Sequence, residues 1–413
     1  MFIIYLSVKI FKYFMVLFSL EELSMKVAGI IAEYNPFHNG HACLAEKARE
    51  SGATHVVSVM SGNFVQRGEP ALFDSAVRTK AALMNGIDLV LQLPAVYAVS
   101  TAQSFAESGV EILDALGLVD ELVFGSECGD ISLISSAVDS LDSDLLKPLL
   151  DEELKKGLPF ASARENALRA LSPVSADIIK SPNNILGVEY AAAIKNLGSR
   201  MKPVTFSRVG AGHDSEESSG NIASASYIRK AFSDGKWKRF VPENAVGIYE
   251  KADVADINRI ENAILYRMRT ADKVALANVP DVSEGIENRI ISAALQAKSL
   301  GELYSLAKTK RYSHARIRRI IINCFLDFTA SDLKLPVPYI RVMGFNERGA
   351  ELIRRARETA RLPVITKAAD LSTLGENAQR IFFLECTAGD VFALCFADVA
   401  ACGEEKRRTP III

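Results

Sequence analysis

Apolar and polar positions alternate in blocks from residue 25 onward, and the blocks change period in a regular order. "KVAGIIAEYN" is a short apolar run, the pattern of a strand buried on both faces. "GHACLAEKARESG" follows as a helix with Leu44 and Ala48 on one face and Gly52 at its end. "THVVSVMSG" is a second strand. "FDSAVRTKAALMNG" is a helix with Asp74 as its N-cap. "IDLVLQLP" makes a third strand closed by Pro94, "AQSFAESGVEILDALG" a helix, and "VDELVFGSE" a fourth strand. Strand and helix in strict alternation predict an α/β fold: a doubly wound, Rossmann-like parallel sheet with right-handed crossovers.

Residues 131–200 read as helical, "MKPVTFSRVG" as a fifth strand, and "AGHDSEESSG" as a mobile loop before a helix starting near Ser224. From about 240 the pattern is mainly helical and more basic, and "FLECTAGDVFALCFADVA" reads as a pair of strands or an irregular cap. Three segments are therefore expected: 1–24 as a non-native or disordered extension, 25–240 as the sheet domain, and 241–413 as a mainly helical domain. The first 24 residues are apolar and aromatic, but Lys9 and Lys12 interrupt the run and no small-residue cleavage site follows. An upstream start before Met25 explains them better than a membrane anchor.

Bulk composition changes this picture little. With 48 basic and 50 acidic side chains the net charge is −2, so any nucleic-acid surface must be a local patch. The six cysteines are scattered, with neither C-x-x-C nor a Cys/His cluster, which argues against zinc or disulfides and for a reducing cytoplasm.

The candidate chemistry sits after the first strand, in "AEYNPFHNGH". Ligands of open parallel sheets bind where strand carboxyl ends lead into helix N-termini. There the free N–H groups and the helix dipole favour a phosphate, and Gly40 permits close approach. His38 and His41, three residues apart, are placed to donate to phosphate oxygens as charge builds on them during attack at an α-phosphorus. Only His55, His213 and His314 remain, so a histidine metal site is poorly supported, and "GIIAEYNPFHNG" is not a dinucleotide fingerprint.

H-x-G-H after a first strand resembles the signature of the nucleotidyltransferases that include class I aminoacyl-tRNA synthetases. "NIASASYIRK" resembles their second motif, with Ser224, Ser226 and Arg229 in matching places; a serine pair is also a common N-cap. Together with "VMSGNFVQRGEPA", "LVFGSE" and "SPNNILGVEY", these motifs are similar to those of the tRNA(Met) cytidine acetate ligase family, from Met25 through "KTKRYSHARIRR". The resemblance implies an enzyme that makes acetyl-adenylate from acetate and ATP and passes acetyl to N4 of the wobble cytidine of elongator tRNA(Met). It also implies that ATP is bound by Ile31, Ala32, Glu33, Tyr34, Asn35, Pro36, Phe37, His38, Asn39, Gly40, His41, Ala42, Cys43 and Leu44. Gly125, Asn183, Arg208 and Val209 complete that set. Mg²⁺ is expected with ATP phosphates, although no Asp/Glu cluster identifies ligands for it.

For the tRNA, the candidates are Lys308, Lys310, Arg311, Arg316 and Arg319, with Tyr312 able to stack on a base, and Arg67 in a Gly-rich turn beside Glu69. Ile317, Ile320, Ile321 and Cys324 form the buried stripe of that helix, leaving Arg316 and Arg319 on its flanks, unless the whole run is a solvated face. Two other readings remain: a small-molecule adenylyltransferase, which would not need the helical half, and a non-catalytic RNA-binding relict, against which His38, His41 and Arg229 stand. No membrane association and no protein partner are expected.

Overall fold

The computed structural model describes residues 25–158, 160–208, 220–232 and 234–413. The apolar extension 1–24, Val209 and nearly all of the expected loop lie outside the described residues. The buried runs form the strands β1 (Val27–Ala32), β2 (His55–Ser61), β5 (Leu89–Leu93), β6 (Glu121–Ser126) and β7 (Lys202–Ser207), with a small hairpin, β3 (Phe64–Val65) and β4 (Glu69–Pro70), between β2 and β5. The main sheet runs β10 (Ile411–Ile412), β8 (Ile340–Phe345), β5, β2, β1, β6, β7, and β1, β2, β5, β6 and β7 pair in parallel. The order reverses on either side of β1, so crossovers leave to both sides and open a crevice beyond its carboxyl end. Asp74 caps helix Ser75–Leu83 by accepting from Val77 N–H, as its sequence position predicted.

The expected division near 240 does not separate the sheet. β8 (Ile340–Phe345) pairs antiparallel with β5, and β9 (Val364–Ile365) and β10 (Ile411–Ile412) pair with β8. Strands from both halves therefore share one sheet. The strand pair expected in "FLECTAGDVFALCFADVA" is instead the carboxyl-terminal part of helix Glu376–Phe392 with a 3₁₀ turn, Ala393–Cys395, after it. Ile381, Phe382, Leu384, Glu385, Cys386, Ala388 and Gly389 are all buried while apolar Phe383 is exposed. Polarity and burial therefore part company here, and the 3.6-residue pattern is blurred in the sequence.

A buried polar cluster ties these parts together. Arg341 on β8 donates to Gln92 Oε1 of β5 at 3.0 Å and to Glu405 Oε2 at 2.7 Å. Gln92 in turn donates to Glu385 at 2.9 Å, and Arg408 contacts Asp74 at 3.0 Å. No described helix is long and apolar enough to cross a membrane.

Candidate active site

β1 ends at Ala32, and the chain turns through Tyr34, which has φ 47°, and a cis Asn35–Pro36 bond before helix Asn39–Glu50 begins. The turn is braced from several sides. Asn35 Oδ1 accepts from Leu72 N–H at 2.7 Å, Tyr249 Oη donates to Phe37 O at 3.0 Å, and Asn39 Nδ2 donates to the carbonyls of Asn221 and Arg239. Asn35, Phe37 and Asn39 thus fix the shape of the segment with these groups. Phe37 is fully buried.

His38 is the N-cap residue of that helix, and its Nδ1 accepts from Gly40 N–H at 3.1 Å. His41 Nδ1 accepts from His38 N–H at 3.2 Å, which closes a capping box built from two imidazoles. The rings stack with centroids 3.7 Å apart, and Tyr34 meets His41 edge-on at 4.9 Å. Gly40 matters here for a reason the motif alone does not show: a Cβ at this position would lie 3.0 Å from the His38 ring.

With each Nδ1 acting as acceptor, a neutral ring carries its proton on Nε2 and presents that N–H to the pocket. Neutrality follows from the surroundings. Burial, then the charges of Arg208 and Arg229, hold the His38 pKa down to about 3, and burial followed by His38 and Arg208 holds His41 well below the ordinary range. The pair is two fixed neutral donors.

The pocket over β1 and β6 is lined by Ile31, Ala32, Glu33, Tyr34, Asn35, His38, His41, Leu44, Gln66, Arg67, Gly125, Asn183, Arg208, Ser224, Ser226 and Arg229, among others. A second lobe shares His38, His41, Leu44, Gly125 and Arg208, and adds Gly40, Cys43, Lys47, Phe206, Ile222 and Ala223. The structure therefore brings together most of the residues singled out from the sequence. Pro36, Phe37, Asn39 and Ala42 line neither lobe, and Val209 is outside the described residues.

Ser224 is the N-cap of helix Ala225–Lys230, accepting from Tyr227 N–H at 3.2 Å, and its Oγ lies 3.0 Å from Ser226 Oγ. Ser224 caps the helix, and both serines line the pocket. Arg229 donates to Asn35 O at 2.9 Å. Across the crevice Arg208 donates to Asn183 Oδ1 at 3.0 Å, and Asn183 Nδ2 donates to Glu127 at 2.6 Å. Glu127 also accepts from Asn184 N–H at the start of helix Pro182–Leu197. Leu186 and Tyr190 line the pocket from this same helix. Both lie in "SPNNILGVEY", and their spacing from Asn183, i+3 and i+7, puts them on one helix face with it. Gln66 and Phe124, also in the wall, lie inside the motifs noted above without being singled out by them, and Phe105 carried no signal.

Among the described residues no group of three or more His, Cys, Asp or Glu side chains is placed to hold a metal ion. A Mg²⁺ ion bound with ATP would therefore be held mainly by the phosphates and water rather than by a cage of side chains.

The basic helix departs from expectation. Helix His314–Phe325 does bury Ile317, Ile320, Ile321 and Cys324. However, Arg319 is paired with Asp281 at 2.6 Å, and Arg316 contacts Asp281 at 3.5 Å and Glu284 at 3.6 Å. Tyr312 is buried and donates to Glu284 O at 2.9 Å, so it is not a stacking platform, and Arg311 contacts Glu284 at 3.1 Å. Asp281 and Glu284 lie some thirty residues upstream, beyond what local spacing reveals. Lys308 and Lys310 stay exposed. Arg67 turns into the pocket, while the hairpin tip at Gly68 abuts the Arg318 backbone, where a Cβ would come within 2.6 Å. Glu69 stands between Arg229 at 3.7 Å and Arg318 at 3.8 Å.

Arg319→Gln is accordingly expected to act on stability. Asp281 is only 15% exposed, and losing its closest partner should cost about 1–3 kcal/mol. Thermal melting measures this. An unchanged melting temperature with weakened RNA binding would return Arg319 to a phosphate-contacting role.

Comparison with known proteins places the chain in a family. The family model described as HIGH Nucleotidyl Transferase matches residues 25–407, which defines the class. A tRNA(Met) cytidine acetate ligase of Thermoanaerobacter sp. (strain X514) is 38% identical over 394 residues, 92% of this chain and 98% of its own. Another, from Caldanaerobacter subterraneus subsp. tengcongensis, is 40% identical over 391 residues, 91% of this chain and 97% of its own. The crystal structure of Thermotoga maritima TmcAL (apo, form I) superposes with a TM-score of 0.89 at 32% identity, covering 94% of this chain and 100% of that one. The same enzyme bound with alpha-thio ATP gives 0.86 at 30% identity, with the same coverage. The chain belongs to the tRNA(Met) cytidine acetate ligase family.

Proposed function

We propose that this chain is an ATP-dependent ligase that activates acetate and acetylates N4 of the wobble cytidine of elongator tRNA(Met). The observation that carries the reading is the stacked, neutral His38–His41 pair, held by its own backbone on one wall of the pocket that Ser224, Ser226 and Arg229 also line. In the first step an acetate oxygen attacks the α-phosphorus, the bond to the β-phosphate oxygen breaks, and pyrophosphate leaves. The two Nε2–H groups donate to the phosphoryl oxygens as their charge grows, with no proton lost and no reorganisation needed. Arg229 and the serine pair serve the departing pyrophosphate. The lobe of Gly40, Cys43, Phe206 and Ile222 has the apolar walls an adenine needs, and Arg208 spans both lobes.

In the second step the cytidine amine attacks the acetyl carbonyl and AMP leaves. We assign the nucleotide chemistry to residues 25–240 and tRNA binding chiefly to 241–413, with Lys308 and Lys310 as exposed phosphate contacts. Six free cysteines and no candidate membrane span among the described helices are in keeping with work in the cytoplasm. The test is incubation with ATP, labelled acetate and elongator tRNA(Met). Label is expected in acetyl-adenylate without tRNA and in N4-acetylcytidine with it. Adenylyl transfer to a small phosphorylated acceptor, with none to acetate, would favour the small-molecule reading instead.

A further inference from the structure

The pocket contains one carboxylate among its described lining residues, Glu33, in a wall that is otherwise neutral or cationic. A carboxylate there repels a triphosphate and an acetate ion, so nucleotide binding alone does not account for it. Its placement is well defined. The Glu33 carbonyl accepts from the fully buried Arg78 at 2.6 Å, and one carboxylate oxygen accepts from Gln66 N–H at 2.9 Å. Among the described residues no backbone N–H donates to the second oxygen, which belongs to a residue of the pocket wall.

ATP brings donor hydrogens too, but its adenine is assigned above to the lobe of Gly40, Cys43, Phe206 and Ile222, which Glu33 does not line. The one donor that must lose a proton in the reaction is the cytidine N4 amino group, which pairs naturally with a carboxylate. We infer that Glu33 receives that amine: it accepts a hydrogen bond from N4, so favouring cytidine over uridine, and acts as the general base of acetyl transfer. The inference rests on the function proposed above. In the step itself, N4 forms a bond to the acetyl carbon, the bond from that carbon to the adenylate oxygen breaks, AMP departs with the electron pair, and the N4 proton passes to Glu33.

The surroundings suit a base for this task. Burial raises the Glu33 pKa, opposed by the Gln66 N–H and by the charges of Arg229 and Arg67, while Glu69 adds to the rise. Arg78 from helix Ser75–Leu83 and Tyr190 from helix Pro182–Leu197 are the other titratable groups that sense its charge. A base stronger than an ordinary carboxylate takes a proton more readily as the amine attacks. His38 and His41, pushed the other way, are too weak as bases for the role.

The test compares two rates in Glu33→Gln. Acetyl-adenylate formation is read by trapping with hydroxylamine, which needs no protein base, and acetyl transfer is read on tRNA. General-base catalysis is worth about 10²-fold or more, so transfer should fall about 100-fold further than trapping does. Transfer by the unaltered protein should rise with pH through the Glu33 ionisation, and that limb should be missing from the variant. Glu33→Asp, which keeps a shorter carboxylate, should recover part of the transfer rate and the pH limb. Equal loss of both rates, or transfer undiminished, overturns the inference; melting curves and ATP binding show that the variants are folded. Failure of the unaltered protein to acetylate tRNA would instead overturn the function on which it rests.

Discussion

Alanine at His41 is expected to lower acetyl-adenylate formation by about 10²–10³-fold, the usual cost of removing one fixed donor from a site of developing charge. His38→Ala should lose as much, and it also removes a helix cap, for which about 0.5–2 kcal/mol of stability is typical. The two variants therefore differ in melting temperature more than in rate. Substituting asparagine at 38 restores a capping side chain without restoring the Nε2 donor, so it should recover stability and not activity.

The pH behaviour follows from the same rings. Both are held neutral in the folded protein, whereas in the unfolded chain they take up protons below about 6.5. Stability is then full above that value and is lost as pH falls from about 6.5 toward the folded value near 3 for His38. Adenylate formation should show no ionisation near 6.5 from this pair. A His41→Ala enzyme that forms adenylate at a near-normal rate would remove the catalytic assignment.

The second large effect is expected far from the pocket. Arg341→Met places a side chain of similar length where Arg341 holds Glu405, and both residues are almost wholly buried. Breaking such a pair strands a charge, at a cost of about 3–5 kcal/mol. Arg408, 3.6 Å from the other Glu405 oxygen, should keep the loss near the lower end. Equilibrium unfolding should show the deficit, with the rate per folded molecule unchanged. The paired variant Arg341→Met with Glu405→Leu, which removes both charges, should recover much of it.

The legible parts of this molecule were those in which a local pattern carries the information. β1, its following turn and the two histidines lie within sixteen residues, and capping by Ser224 and Asp74 needs only three more. Partners far apart in sequence were not legible. Asp281 neutralises Arg316 and Arg319 across more than thirty residues. Glu127 reaches Asn183 across more than fifty to shape the pocket wall. The six-residue strand β8 was lost in a stretch whose surroundings are helical, because its identity comes from pairing with β5 more than from its own short period.

That pairing bears on how the protein can be inherited and divided. Β5 has β2 on one side and β8 on the other, so a chain ending near 240 would leave the Leu89–Leu93 edge open. Such an edge, buried and uncharged, is a template for joining another molecule of the same kind. Residues 25–240 and 241–413 are thus not exchangeable cassettes. A lineage that acquired the later half as a nucleic-acid module would have had to supply the missing strand with it. Once it had done so, neither half could be shed without exposing an adhesive border.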